Sequence, residues 1–289
     1  MSEKYIDLHV HSNESDGTLT PAEVVALAKE KNLSAIALTD HDTISGLPEA
    51  RKAAQEFDIE LVPGIELSTD YNGTEVHILG YYIDEKNPAF LQKLAEFRDG
   101  RDNRNRKMAA KLQAEGFDIS YEALLAAFPH CVLTRAHFAR YLYDNGMVKN
   151  MDIVFQKYIG NGCRCYVSRE KITPFEAIDL IHTGGGLAYF AHPVLCHMNY
   201  DRLDFFIKSM KEHGLTGIEA VYSTYYPGDE RNMKRFAEKY NLLISGGSDF
   251  HGSNKPAIQL GTGKGNLKIP YQFLQDMKNR KYRAKNEQI

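Results

Sequence analysis

Two histidines near the N-terminus are spaced to bind one metal ion. His9 and His11 lie in the run Ile6-Asp7-Leu8-His9-Val10-His11-Ser12, where apolar and polar residues alternate. This period of two is typical of a β-strand with one apolar and one polar face. Because side chains at positions i and i+2 of a strand point the same way, the two imidazoles can face one ion. Asp16 follows a few residues later as a further candidate ligand.

More histidines and carboxylates follow other short apolar runs along the chain. These further candidates are Asp40, His41, Glu66, His77, His192, Asp249 and His251. So many histidines and carboxylates at strand ends exceed what is expected of histidines that only satisfy hydrogen bonds in a core. Mixed imidazole and carboxylate ligands suit Zn²⁺, Mn²⁺ or Fe²⁺ better than Ca²⁺. Since one ion needs fewer ligands, the residues predict two or three divalent ions joined by a bridging carboxylate.

The elements that position these residues alternate as strand and helix. Thr20-Pro21-Ala22-Glu23 combines an N-cap, a proline in the first turn and a capping-box glutamate, which predicts a helix start. Further helices are predicted over about Leu47 to Phe57, Thr173 to His182, Asp229 to Tyr240 and Pro270 to Lys281, and later strands over Leu187 to Ala191, Gly217 to Tyr222 and Leu242 to Ser245. Repeated β/α units place functional groups at the carboxyl ends of parallel strands. The count predicts seven strands.

One pair of strands is predicted to be antiparallel. Asn72-Gly73 separates two strand-like runs, and this dipeptide is a strong signal for a β-hairpin. With these two residues as the loop, Ser68 pairs with His77 and Glu66 pairs with Leu79. Glu66 and His77 then become diagonal neighbours on one face, where both can reach one ion.

Residues 85–167 carry little strand signal. Helices are predicted over Asn87 to Gly116, Tyr121 to Phe128, Arg135 to Asn145 and Asp152 to Ile159. We expect this segment to be a helical insertion that caps the barrel mouth, with residues 1–84 and 168–289 forming the discontinuous barrel. The basic residues of the first helix are Arg98, Arg101, Arg104, Arg106 and Lys107. They alternate with acidic residues, which favours a solvated helix face over an anion-binding edge. Arg135 is the better candidate for binding a phosphate.

Length and composition exclude several classes of protein. The 289 residues carry a formal net charge of −3, which argues against a polycation that binds duplex DNA. No apolar run approaches about 18 residues and no signal peptide is evident, so we predict a cytoplasmic protein without membrane contact. Cys131, Cys163, Cys165 and Cys196 lack zinc-ribbon spacing and are predicted to be free thiols. The sequence predicts no particular oligomeric state.

The ordered motifs resemble those of the PHP (polymerase and histidinol phosphatase) superfamily. They are Asp7-Leu8-His9-Val10-His11-Ser12, Thr39-Asp40-His41-Asp42, Gly64-Ile65-Glu66, His77, Ala191-His192-Pro193 and Ser248-Asp249-Phe250-His251. The resemblance spans roughly residues 4–84 and 168–260. It implies an α/β fold, a distorted seven-stranded (β/α)7 barrel with a multinuclear metal site. The insertion, with Thr134-Arg135-Ala136-His137, is similar to that of the branch whose members are nucleotide phosphatases and 5′-to-3′ exoribonucleases.

The resemblance also implies a role for each candidate. A first ion would be held by His9, His11, Glu66 and Asp249, a second by Glu66, His77 and His192, and a third by Asp16, His41 and His251. Many members of the superfamily have histidine at the position of Asp16, so Asp16 would ligate the third ion or serve as a general acid or base, a role also open to His41. Asp7 and Asp40 would orient ligating histidines, and Arg135 would clamp a phosphate.

The function expected from these features is metal-dependent hydrolysis of phosphomonoesters. The substrates would be a nucleoside 3′,5′-bisphosphate, a 5′-nucleotide or a short RNA, attacked by a hydroxide that the ions generate. A phosphatase for histidinol phosphate or another small metabolite is the alternative, and a metal-binding module without turnover is a third hypothesis.

Other residues receive weaker assignments. His130, His182 and His213 are predicted to be surface or hydrogen-bonded residues, while His137 and His197 are minor candidates for the mouth. For Tyr225 and Tyr226, stacking on a base and packing against the barrel are both open.

Overall fold

A single sheet of seven strands forms the centre of the molecule. The computed structural model describes residues 3–129, 131–167 and 172–286. The strands lie in chain order: β1 (Ile6–Val10), β2 (Ala35–Leu38), β3 (Glu60–Tyr71), β4 (Thr74–Tyr81), β5 (Leu187–Phe190), β6 (Gly217–Tyr222) and β7 (Leu243–Gly247). All neighbouring strands are parallel except β4, which is antiparallel to both β3 and β5.

The sheet curves until its two edges nearly meet. Val10 and Phe250 form a parallel bridge, and the backbone N–H of Asp249 donates to the carbonyl of His9 at 2.8 Å. Gly247 makes this approach possible, because a Cβ there would lie 2.1 Å from the Cβ of His9. The fold is the distorted seven-stranded α/β barrel that the sequence predicted.

Helices surround this barrel and form the insertion. They are α1 (Pro21–Glu30), α2 (Leu47–Phe57), α3 (Pro88–Ala114), α4 (Tyr121–Ala127), α5 (Arg135–Asp144), α6 (Met151–Val154), α7 (Pro174–Thr183), α8 (Tyr200–Glu212), α9 (Pro227–Lys239) and α10 (Gln272–Asn286). A π-helical turn at Phe155–Ile159 continues α6, and 3₁₀ turns follow at Pro193–Cys196 and Gly252–Asn254. Thr20 caps α1 through the predicted capping box with Glu23. None of the helices in the described ranges is long and apolar enough to cross a membrane.

One helix was missed by the sequence analysis, which predicted nothing between β5 and β6. α8 occupies this connection, with Asn199 as its N-cap. The run Phe205-Phe206-Ile207 hides the helical period, because Phe206 and Ile207 are buried while Phe205 is 65% exposed.

The hairpin register agrees with the prediction. Ser68 pairs with His77, and Glu66 pairs with Leu79. Asn72 and Gly73 both have positive φ angles, 53° and 81°, as a tight two-residue hairpin loop requires.

The hydrophobic core is divided between the barrel and the insertion. α10 closes the barrel interior with Leu274 and Met277. The insertion has a cluster of its own, formed by Met108, Ala109, Leu112, Ile119, Tyr121, Leu124, Leu133, Phe138, Ala139, Leu142, Val154, Ile159 and Cys165. The first turns of α3, however, pack on the barrel through Phe90, Leu94 and Phe97. We propose that residues 85–167 form an insertion whose independent core begins midway along α3.

Candidate metal centre

Glu66 lies at the centre of the predicted ligands. It belongs to β3 and is 1% exposed. Its Oε2 lies 3.2 Å from His9 Nε2, His11 Nε2 and His41 Nδ1, and its Oε1 lies 2.9 Å from His77 Nδ1 and 3.0 Å from His192 Nε2. Two carboxylate oxygens that each face several imidazoles are placed as a bridging ligand would be.

Asp249 faces the same cluster from the end of β7. Its Oδ1 lies 3.6 Å from His9 Nε2, 3.3 Å from His11 Nε2 and 3.4 Å from His251 Nδ1. Its Oδ2 accepts hydrogen bonds from the Tyr222 hydroxyl and from Lys255 Nζ, each at 2.6 Å. These partners orient the carboxylate, so that one oxygen points at the imidazoles.

Asp16 extends the cluster toward the insertion. Its Oδ1 lies 3.1 Å from His251 Nε2, and its Oδ2 lies 3.8 Å from His41 Nε2. The Thr134 hydroxyl, at the start of α5, donates to Oδ2 at 3.0 Å. Thr134, a residue of the insertion, therefore contacts one of the predicted metal ligands directly.

All nine predicted ligands come together in four overlapping groups. The groups are His11–Asp16–His41–His251, His9–Glu66–His192, His9–His11–Asp249 and His41–Glu66–His77. His41 belongs to two of them, whereas the resemblance placed it only at the third ion.

Buried nitrogen and oxygen atoms test whether metal ions fit this cluster. Within the described ranges, the predicted ligands have these buried atoms without a hydrogen-bond partner: His9 Nε2, His11 Nδ1 and Nε2, Asp16 Oδ1, His77 Nε2 and His192 Nδ1. Of these, His9 Nε2 and His11 Nε2 face Glu66, and Asp16 Oδ1 faces His251. An unsatisfied buried polar group costs about 1–3 kcal/mol, and a cation would remove this cost for several at once. Two of the ligands, His192 and Asp249, also have positive φ angles of 29° and 58°, a strain typical of functional sites. The donor set fits divalent cations.

The carboxylates of the cluster are ionised, which favours cations. Burial alone would raise the pKa of Glu66, but the facing imidazoles of His41, His9 and His77 hold it well below its usual range. The pKa of Asp249 is likewise held low against burial, chiefly by Lys255 and His251. Burial lowers the pKa of His41 to about 3, so this imidazole is neutral and can donate its lone pair. The site thus presents ionised carboxylates and a neutral imidazole at neutral pH.

Glu219 is a functional residue that the sequence analysis missed. It is fully buried in β6, its Oε1 lies 3.0 Å from His9 Nδ1, and its Oε2 accepts from the backbone N–H of His192 at 2.8 Å. A carboxylate on the second nitrogen of a ligating histidine fixes its tautomer and its orientation. The available signal was the lone charge in the apolar run Gly217-Ile218-Glu219-Ala220-Val221.

Asp7 and Asp40, which were predicted to orient ligating histidines, contact backbone and serine donors around the predicted ligands. Asp7 accepts from the backbone N–H groups of Ser248 and Gly261 at 2.9 and 2.8 Å. Asp40 accepts from the Ser12 N–H at 2.8 Å and from the Ser12 and Ser15 hydroxyls at 2.7 Å. In the part of the chain that the structure describes, neither carboxylate bonds to an imidazole. They fix the loops that carry the ligands, because a buried carboxylate can satisfy several backbone donors at once.

The basic residues of α3 were predicted to form a solvated face, but two of them, Arg101 and Arg104, are buried. Arg101 is 3% exposed and pairs with Asp42, and it also donates to Ser68 Oγ at 2.8 Å. Arg104 is 8% exposed, while Arg106 follows the prediction and pairs with Glu122 at the surface. Sequence spacing alone does not say which face of a helix meets a distant barrel.

Arg101, Arg104 and Arg135 line one cavity of about 280 Å³ beside the metal cluster. The guanidinium of Arg135 pairs with Glu75, whose Oε1 also lies 3.5 Å from His77 Nε2. The cavity therefore combines the cluster with cationic side chains that the insertion supplies.

The remaining histidine and tyrosine candidates lie outside the four groups of predicted ligands. His137 Nδ1 accepts from the Thr134 N–H at 2.9 Å and so serves as a helix cap. His197 is exposed and outside the four groups, as are His182 and His213; His130 lies outside the described residues. Tyr225 is 8% exposed and packs on Tyr222 with ring centroids 5.2 Å apart, whereas Tyr226 is 78% exposed. The four cysteines are free, as predicted.

Comparison with known proteins places this geometry in a family. The sequence model of the PHP domain family matches residues 7–254 of this chain. A 5′-3′ exoribonuclease of Haemophilus influenzae is 37% identical over 251 residues, which cover 87% of this chain and 91% of the relative. A 3′,5′-nucleoside bisphosphate phosphatase of Chromobacterium violaceum is 36% identical over 257 residues, which cover 89% and 90%.

Solved structures agree with this assignment. A Chromobacterium violaceum protein described as an amidohydrolase, with bound sulfate and no metal, superposes with a TM-score of 0.84 and 34% identity over 96% of each chain. A Bifidobacterium adolescentis protein described as a candidate metal-dependent phosphoesterase superposes with a TM-score of 0.83 and 26% identity over 95% of each chain. The fold and the site are those of a hydrolase that acts on phosphoester bonds. The chain belongs to the PHP domain family.

Proposed function

We propose that this protein is a metal-dependent phosphoesterase that removes phosphate from nucleotides or short RNA. The observation that carries the proposal is Glu66, whose two oxygens face the five imidazoles of His9, His11, His41, His77 and His192. We assign to the cluster two or three divalent ions, Mn²⁺, Zn²⁺ or Fe²⁺, held by His9, His11, Asp16, His41, Glu66, His77, His192, Asp249 and His251. Such ions lower the pKa of bound water and neutralise the charge of phosphoryl oxygens.

The chain's own residues would bind and orient the substrate. Arg135 and Arg101 line the cavity beside the cluster and would bind a phosphate that is not hydrolysed. Glu75 already pairs with Arg135, so a bound phosphate would have to compete with this carboxylate. The pKa of Asp16 is held well below its usual range, against burial, by His251 and His41. An ionised Asp16 can ligate or accept a proton, and we assign it to the third ion together with His41.

The named relatives support the nucleotide class of substrate. One is an exoribonuclease and another is a nucleoside bisphosphate phosphatase, and each match covers most of both chains. A nucleoside 3′,5′-bisphosphate carries two phosphates, and an RNA carries a phosphodiester backbone. Either would place one phosphate at the predicted metal ligands and another near the cationic side chains beside them. The predicted cytoplasmic location and the predicted lack of duplex DNA binding stay predictions.

Phosphate release from a substrate panel tests the proposal. The panel holds nucleoside 3′,5′-bisphosphate, 5′-AMP, a short 5′-phosphorylated RNA and histidinol phosphate, each with added Mn²⁺ and with an EDTA control. We expect turnover of a nucleotide or of the RNA, lost in EDTA and in Asp249→Ala, whose fold is checked by circular dichroism. Turnover of histidinol phosphate alone would replace the proposal with the small-metabolite phosphatase. No turnover of any substrate by the metal-loaded protein would favour a binding module.

A further inference from the structure

The metal cluster opens into two cavities, and one lysine borders both. The cavity beside the insertion measures about 280 Å³, and a second one of about 240 Å³ lies against Leu195, Cys196 and Tyr222. Among the described residues, Lys255 is the one lysine or arginine that lines both cavities. The arginines of the insertion border only the larger of these two, so of the described lysines and arginines only Lys255 lines the smaller one.

Lys255 is held at the cluster but remains open to the cleft. It follows the 3₁₀ turn Gly252–Asn254 after His251, and its Nζ lies 2.6 Å from Asp249 Oδ2. The side chain is 41% exposed, although that of its partner Asp249 is only 7% exposed. An ammonium has three donors, and the contact with Asp249 uses one of them. The other donors can point into the cleft.

Orientation of Asp249 alone does not account for this lysine. The Tyr222 hydroxyl already donates to the same Oδ2 at 2.6 Å, and it does so as a neutral group. The positive charge of Lys255 next to Asp249 repels a metal ion that Asp249 would bind. The cost is offset if the lysine meets an anion that arrives with the substrate.

We infer that Lys255 contacts the phosphoryl group undergoing hydrolysis. Its Nζ donates to a nonbridging phosphoryl oxygen, and it keeps its contact with Asp249. Charge-assisted donors aimed at a transferring phosphoryl group act more strongly as charge develops on its oxygens. The assignment rests on the proposed function, and it makes Lys255 a catalytic residue in addition to the metal ligands.

Two variants and a matched control test the inference. Lys255→Met removes the charge and keeps the length, Lys255→Arg keeps the charge, and Lys268→Ala removes an exposed lysine elsewhere. For each metal-loaded protein, metal content is measured by mass spectrometry, inorganic phosphate binding by calorimetry, and kcat/KM on the best substrate of the panel. With metal content unchanged, we expect Lys255→Met to lose about 100-fold in kcat/KM and to bind phosphate about tenfold more weakly, which corresponds to one weakened charged contact.

The outcomes separate the alternatives. Lys255→Arg should retain more activity than Lys255→Met, and Lys268→Ala should match wild type. Loss of metal from Lys255→Met would overturn the inference, because the lysine would then act by positioning Asp249. Unchanged phosphate binding and kcat/KM would overturn it as well. If wild type turns over no substrate, the proposed function fails, yet the phosphate titration still decides whether Lys255 contacts the anion.

Discussion

At the scale of single residues, the site depends on partners that the motifs do not contain. The motif residues supply the predicted ligands, but the tautomer of His9 on β1 is set by Glu219 on β6, five strands later in chain order. Glu75 is the corresponding partner of His77. Its Oε1 lies 3.5 Å from His77 Nε2, the ring nitrogen that does not face Glu66. The ligand atoms could be predicted from spacing, whereas these partners depend on how β6 and the hairpin are placed.

Replacing Glu219 by glutamine tests its effect on the metal centre. Glutamine keeps the shape but removes the charge and replaces one of the two accepting oxygens by an NH2 donor. The amide can therefore accept from His9 Nδ1–H or from the His192 N–H but not from both, and the preference for a free lone pair on His9 Nε2 is weakened. We expect affinity for Mn²⁺ or Zn²⁺ to fall about 10- to 100-fold. Calorimetric titration of the metal-free protein measures this, with Glu238→Gln on the exposed face of α9 as the control. Equal affinities for both variants would show that Glu219 has only a packing role.

Proton release on metal binding tests the electrostatics of the ligands. Burial alone would lower the pKa values of the imidazoles, but Glu66 and Glu75 raise the pKa of His77 to about 10, and Asp249 and Glu66 raise that of His11 to about 9. Both are therefore protonated at neutral pH before metal binds, and a metal must displace these protons.

The sign of the pH dependence follows from these two histidines. Because the protonated forms compete with the ion, apparent metal affinity should rise with pH from 7 to about 10, the higher of the two pKa values, and level off above it. Glu219, Glu66 and Asp249 also raise the pKa of His9 well above its usual value, against burial, so with His11 and His77 we expect about three protons to be released at pH 7. Calorimetry in two buffers of different ionisation enthalpy measures this number. An enthalpy independent of the buffer would contradict the predicted protonation.

At the scale of elements, local signals predicted most strands and helices, and long-range contacts decided the rest. Asn72-Gly73 fixed the hairpin register because its loop length determines which residues pair. α8 was missed because Phe205 breaks the apolar period that Phe206 continues. Arg101 was assigned to a solvated face because nothing in α3 itself indicates that Asp42, which follows β2, lies opposite it.

The contact between Arg101 and Asp42 joins the insertion to the barrel. Arg101→Ala removes the guanidinium that faces a fully buried carboxylate, so we expect a loss of about 3–5 kcal/mol in the free energy of unfolding. Arg106→Ala, which removes an exposed pair with Glu122, should cost no more than about 1 kcal/mol. Urea unfolding monitored by circular dichroism compares the two. Similar losses would indicate that the buried pair contributes little to docking of α3.

At the scale of the whole molecule, the ligands come from both ends of the chain. His9 and His11 come from the end of β1, while Asp249 and His251 follow β7, and β1 and β7 are the two edges that close the barrel. The ligands between them come from β3, β4 and the loops after β2 and β5. An ion bound by residues of the two edges would therefore link the first and last strands, and the proposed metal centre would be part of the barrel closure.

Metal removal should consequently lower the stability of the whole barrel. An ion that binds only the folded state adds about 2.7 kcal/mol at a free concentration 100 times its Kd, so Mn²⁺ or Zn²⁺ should raise the Tm and EDTA should reverse the rise. Glu66→Gln should abolish most of this shift, because the bridging carboxylate loses its charge, while Glu238→Gln should keep it. Scanning calorimetry of wild type and the two variants, each with metal and with EDTA, measures the effect. A Tm that is the same with and without bound metal, with binding verified by mass spectrometry, would show that the ions do not link the edges of the barrel.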